Sequence, residues 1–124
     1  SNFVRILELF DKEFNQVKSK LSGYTIDDEE TLKTIERVEK DYGYVLDPHG
    51  AVAFVALEKY LAENGGKGFF LETAHPVKFP DSVEKATRKS VEIPKSLEEL
   101  MKQEKITTEI NPLYEELKGF LMKK

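Results

Sequence analysis

The chain has 124 residues, 40% hydrophobic and 34% charged, with a formal net charge of −4. That length holds one real core, the composition is too apolar for disorder, and an acidic balance excludes a protein that binds duplex nucleic acid by releasing counterions. There is no cysteine, hence no disulfide, thiolate metal site or cysteine nucleophile, and the longest apolar run, Ala51 to Leu57, is far too short to span a bilayer.

The chain opens Ser1-Asn2-Phe3, without Met, and goes straight into a helical pattern. It reads as a piece of a longer cytosolic protein with no leader. Phe3, Ile6, Leu7, Phe10, Phe14, Val17 and Leu21 recur at helical spacing and predict one amphipathic helix ended by Ser22-Gly23. Tyr24-Thr25-Ile26 is a short strand candidate. Asp27 with Glu30 forms a capping box. The acidic run Asp27 to Glu30 suits a helix N-terminus by its dipole rather than a metal, because adjacent carboxylates on a turn point in different directions. Leu32, Ile35, Val38 and Tyr42 give that helix its inward face, and Gly43 stops it.

Asp47-Pro48 opens the next helix, with Asp as cap and Pro at the first helical position. The apolar run that follows predicts a helix covered on most sides, ended by Asn64-Gly65-Gly66. Gly68-Phe69-Phe70-Leu71 reads as a strand buried on both faces, as in a parallel sheet. Farther on, Asp81 is expected to cap a short helix holding Val83 and Ala86. Ser96 with Glu99 is expected to box a second. Asn111-Pro112 opens a last helix with Leu113, Leu117, Phe120 and Leu121 inward and Lys123 and Lys124 at its favourable end.

The expected fold class is therefore α/β and helix-rich, with a short parallel strand pair at about 24–26 and 68–72. A doubly covered strand needs neighbours on both edges, which this chain does not obviously supply. That makes it a fragment of a larger three-layer domain. In open parallel sheets ligands sit beyond the carboxyl ends of the strands. Thr73, in the turn Thr73-Ala74-His75-Pro76, occupies that place, although a Thr there also commonly caps the following turn. His49 and His75 are the only histidines and no third ligand has helical spacing to either, so no metal site is expected. His49 reads as structural. His75 either orients the loop around Thr73 or makes a direct contact. Lys78 is either a solvated turn lysine or a partner for an anionic substrate. Glu72 reads as a strand-end residue meeting a basic partner.

Two segments are specific: Tyr44-Val-Leu-Asp-Pro-His-Gly-Ala-Val-Ala at 44–53 and Phe70-Leu-Glu-Thr-Ala-His-Pro-Val-Lys-Phe at 70–79. Together with the opening helix, the acidic helix start and Pro80-Asp-Ser-Val-Glu84, they resemble the carboxyl-terminal part of threonine synthase. The resemblance covers essentially the whole chain and is most convincing up to about residue 95. It implies a pyridoxal-phosphate lyase of the tryptophan-synthase-like fold type II that converts O-phospho-L-homoserine and water to L-threonine and phosphate. It also implies residues 1–95 as the C-terminal part of the cofactor-binding large domain and 96–124 as a helical extension packed on it. The family's Schiff-base lysine lies in a Ser-Phe-Lys-Asp motif and its phosphate loop is rich in Gly and Asn. Neither is present in this sequence, so the chain alone is expected to be inactive and to bind no cofactor.

The same resemblance places Thr73 at the pyridine nitrogen of the cofactor, with His75 as a second candidate contact and Lys78 as a candidate for the substrate phosphate. The partners it implies are the remainder of the same polypeptide and O-phosphohomoserine, with self-association of the isolated chain and neither nucleic acid nor membrane. Two other readings stay open from the residues: a free-standing α/β interaction module without catalysis, and a small hydrolase or lyase using His75.

Overall fold

The computed structural model describes residues 3–123. Ser1, Asn2 and the terminal Lys124 of the sequence reading lie outside them. Among the described residues there are seven α-helices, one 3-10 turn and no strand. The chain forms two compact units, Ser1–Glu92 and Ile93–Lys124.

In the first unit, α1 (Phe3–Leu9) and α2 (Phe14–Lys20) replace the single helix expected there. The break falls at Asp11 and Lys12, both at positive φ (51° and 60°), a left-handed pair that no helix can absorb. Neither helix buries a residue. An apolar stripe at helical spacing does not by itself hold a helix together unless something covers it.

The core is built by α3 (Asp28–Tyr42), α4 (Pro48–Asn64) and α5 (Pro80–Thr87), with α3 packed against both others. Asp27 caps α3 as expected, its Oδ1 accepting from the Glu30 N–H at 2.7 Å, but the Glu30 carboxylate turns away to Lys59 at 3.0 Å. Gly43 ends α3 in the left-handed conformation (φ 67°), the state that glycine reaches at no steric cost. Ile35 and Val38 of α3 are buried with Leu46, with Ala51 and Val55 of α4, and with Val83 and Ala86 of α5. Thr31 and Thr34 are buried too; their hydroxyls donate back to the carbonyls of Asp27 and Glu30, so no polar atom is stranded. Tyr42, expected inward, is exposed. So is Val52, and α4 is less enclosed than its apolar run implied.

The expected α/β class is wrong for this chain. Neither 24–26 nor 68–72 pairs with anything, and both are extended coil. Segment 68–72 keeps a strand's alternation but lies alone along α4. Gly68 sits so close to Leu57 that a Cβ there would be 2.5 Å from Leu57 Cδ1, and Phe70 meets Phe54 edge-on with ring centroids 5.4 Å apart. Phe69 and Leu71 point the other way and are 83% and 68% exposed. The run is thus covered on one face, not two. A strand exists only through a ladder partner, and residues 3–123 provide none.

The 3-10 turn Pro76–Lys78 leads into α5. Asp81 lies in the first turn of α5 rather than capping it; Phe79 holds the cap position and Pro80 the first helical one. The second unit contains α6 (Lys95–Met101) and α7 (Tyr114–Met122), and neither buries a residue. Ser96 is inside α6, not its cap. Leu113, Leu117, Phe120 and Leu121, expected inward, are exposed. Asn111 does mark the approach to α7: its backbone N–H and side-chain amide both donate to the Glu116 carboxylate, at 3.0 and 2.7 Å, and hold that carboxyl below its ordinary value.

Candidate functional site

Thr73 follows directly on the extended segment and is exposed. Its hydroxyl makes no hydrogen bond among the described residues. The capping role that its position allowed is taken by His75, whose Nδ1 accepts from the Val77 N–H at 3.2 Å. With Nδ1 accepting, the proton of the neutral ring sits on Nε2, which stays available in an exposed position. Lys78 closes the 3-10 turn, exposed and without an ion pair among the described residues. One short turn therefore carries Thr73, His75 and Lys78 on the surface.

Behind this turn lies a buried acidic pair that the sequence did not announce. Asp47 is fully buried at the start of α4. Its Oδ1 accepts from the His49 N–H at 2.7 Å and meets His49 Nδ1 at 2.9 Å, so it is both the expected helix cap and a ring partner. The His49 ring also leans on Phe79, centroids 5.0 Å apart. Glu72, half-buried, sends Oε1 to the Asp47 N–H at 3.1 Å. The second oxygens, Asp47 Oδ2 and Glu72 Oε2, are buried with no donor.

Glu72 therefore meets an acidic partner, not the basic one expected. Burial and the hydrogen bond to Asp47 push its carboxyl up to about 7. For Asp47 burial acts upward as well, but the hydrogen bond from Glu72 and the two His49 donors outweigh it and hold the carboxyl below its ordinary value. Two carboxyls in contact cannot both stay ionised, and their environments divide the roles. Sequence distance hides this pairing, for 25 residues separate the two acids. The signal that could have shown it is Gly50, a glycine in the first turn of α4 with no turn or positive φ to explain it.

No group of three or more potential ligands capable of holding a metal is present among the described residues. No helix there is long and apolar enough to cross a membrane. Shallow depressions of about 300 and 330 Å³ lie beside Pro48 and Asp28, and Thr73 lines neither.

Residues 50–121 match the family model described as "Threonine synthase, C-terminal". The threonine synthase of Buchnera aphidicola subsp. Acyrthosiphon pisum is 37% identical over 124 residues, covering 100% of this chain and 28% of that protein. The threonine synthase of Escherichia coli is 41% identical over 99 residues, 80% of this chain and 22% of that one. The crystal structure of the Escherichia coli enzyme superposes with a TM-score of 0.75 at 36% identity, over 98% of this chain and 28% of that chain. The pyridoxal-phosphate-bound threonine synthase of Brucella melitensis gives 0.54 at 30% identity, over 84% and 27%. The chain thus spans little more than a quarter of the length of these relatives. With its two motifs, its fold and its match over residues 50–121 in agreement, the chain belongs to the threonine synthase family, as a carboxyl-terminal region of it.

Proposed function

We propose that this chain is the carboxyl-terminal portion of a cytosolic threonine synthase that converts O-phospho-L-homoserine and water to L-threonine and phosphate, and that it supplies one contact to pyridoxal phosphate, through Thr73. The observation that carries the reading is the uncommitted Thr73 hydroxyl at the end of an extended segment, with the neighbouring cap duty already met by His75.

The residues fit the group. When bound, pyridoxal phosphate supplies an electron sink, and the protein tunes how strong a sink it is. A carboxylate at the ring nitrogen would favour the protonated, strongest form. Thr73 is neutral and donates a hydrogen bond to an unprotonated nitrogen, which leaves the sink weaker. His75 orients the turn through Val77, and its free Nε2–H is a second donor on the same surface. Lys78 offers a mobile cation to the substrate phosphate. The covalent lysine and the phosphate loop belong to the rest of the polypeptide, so this chain alone turns nothing over. The outward side of 68–72, with Phe69 and Leu71 exposed, is where that remainder docks.

The test is Thr73→Val beside Thr73→Ser in the whole enzyme. Valine should weaken cofactor binding severalfold and shift the cofactor's absorbance band, and serine should restore both. Unchanged cofactor affinity and turnover in Thr73→Val would refute the assignment.

A further inference from the structure

Glu72 is adjacent to Thr73, yet its side chain turns back into α4. Three features of the pair with Asp47 belong together. Asp47 Oδ1 is saturated by the His49 N–H and ring, which leaves Oδ2. Glu72 Oε1 is occupied by the Asp47 N–H, which leaves Oε2. Both leftover oxygens are buried and lack a donor. An unsatisfied buried carboxylate oxygen is costly, and one proton between the two satisfies both at once.

We propose that Asp47 and Glu72 form a single-proton latch that clamps residues 72–73 to the start of α4 and so makes Glu72 the positioning residue for the Thr73 hydroxyl.

Gly50 is the seat of the latch. A Cβ at this position would lie 2.0 Å from Glu72 Oε2 and 2.6 Å from its carboxyl carbon, so only glycine admits the carboxyl. The titratable groups acting on Glu72 are Asp47 and His49, both from the start of α4; none from α3 or α5 does so among the described residues. Below neutrality the latch is closed. As Glu72 ionises, two like charges face each other across the buried contact and the latch opens. The ring-nitrogen contact of the whole enzyme then weakens with rising pH although Thr73 itself does not titrate. The consequence for Thr73 rests on the reading above; the latch does not.

The experiment uses the intact holoenzyme carrying this segment. Isotope-edited infrared spectra with labelled glutamate should show a protonated-carboxyl stretch that fades through neutral pH and is missing in Glu72→Gln. Glu72→Gln, whose carbonyl accepts from the Asp47 N–H while its amide donates to Oδ2, should keep cofactor affinity within about twofold and make it flat with pH. Glu72→Ala and Gly50→Ala should each weaken it about five- to twentyfold, and the double variant should be no worse than Gly50→Ala alone, as residues of one unit behave. Absence of the protonated Glu72 band near pH 6 overturns the latch whatever Thr73 does. Normal affinity in Glu72→Ala, with Thr73→Val impaired, overturns the positioning role. Normal affinity in Thr73→Val overturns the ring-nitrogen contact and with it the positioning role, and the infrared result then decides the latch alone.

Discussion

The Glu72 carboxylate fills the space that a side chain on Gly50 would need, its Oε2 2.0 Å from where that Cβ would stand. A residue in the first turn of a helix and one on an isolated extended segment thereby specify each other. The first prediction follows from the size of the clash. Gly→Ala inside a helix ordinarily stabilises by about 1 kcal/mol. Forcing a methyl into a filled space costs about 1–3 kcal/mol. The steric cost wins because the carboxyl cannot retreat without abandoning the Asp47 N–H. Gly50→Ala should lower the urea midpoint of the chain. A raised midpoint would show that Glu72 moves aside freely.

A second prediction concerns pH. Glu72 has its folded value raised to about 7, so the stability it contributes is full below the ordinary glutamate value and is lost as pH rises through about 7. Asp47 is shifted the other way, so its contribution is present above the ordinary aspartate value and is lost as pH falls through its lowered one. The two contributions together should therefore peak between the ordinary aspartate and glutamate values, 3.8 and 4.5, and decline from there to about pH 7. Urea midpoints measured from pH 3 to 8 should trace that peak, and Glu72→Gln should remove the decline on its alkaline side. A midpoint that climbs steadily to pH 8 would contradict the raised Glu72.

Asp47 serves α4, the His49 ring and Glu72 at once. Asp47→Ala should cost more than the ~1 kcal/mol of a lost cap, because it also leaves Glu72 without its buried partner, a further ~1–3 kcal/mol. Asp47→Asn retains an acceptor for the cap and a donor for Glu72, and should retain more than half of that stability. Equal losses in the two variants by thermal unfolding would mean that only the negative charge matters.

Core and surface should separate cleanly. Leu46, fully buried between α3 and α4, should cost about 2–5 kcal/mol as Leu46→Ala. Arg37 grips Glu58 through two nitrogens, at 3.0 and 2.5 Å, and lies 5.4 Å from the centre of the Phe54 ring. It is still partly exposed, so Arg37→Ala should cost no more than about 1 kcal/mol, part of it insensitive to salt because the ring contact is not screened like an ion pair. Comparable losses at both positions, in urea unfolding at low and high salt, would place the core elsewhere.

The local signals were readable directly from the residues. Asp27, Gly43 and Asp47-Pro48 mark helix ends through hydrogen bonds and backbone angles that involve only near neighbours, and the two motifs at 44–53 and 70–79 carry the family. Periodicity was less dependable. It runs unbroken through α1 and α2, where Asp11 and Lys12 interrupt the backbone, and it names as inward residues of α7 that are exposed. An apolar stripe states what could be buried, not what is present to bury it.

Long-range placement was decided only in three dimensions. Whether 68–72 becomes a strand depends on an edge outside the segment, and within residues 3–123 it gets a helix on one side and exposure on the other. Glu72 could not be assigned a partner from composition or spacing, because the folded path brings it onto the start of α4, 25 positions earlier in the chain. Helix caps are legible because their physics is local; a shared proton between distant carboxyls is a property of the packed molecule, where burial makes one oxygen's need another's only solution.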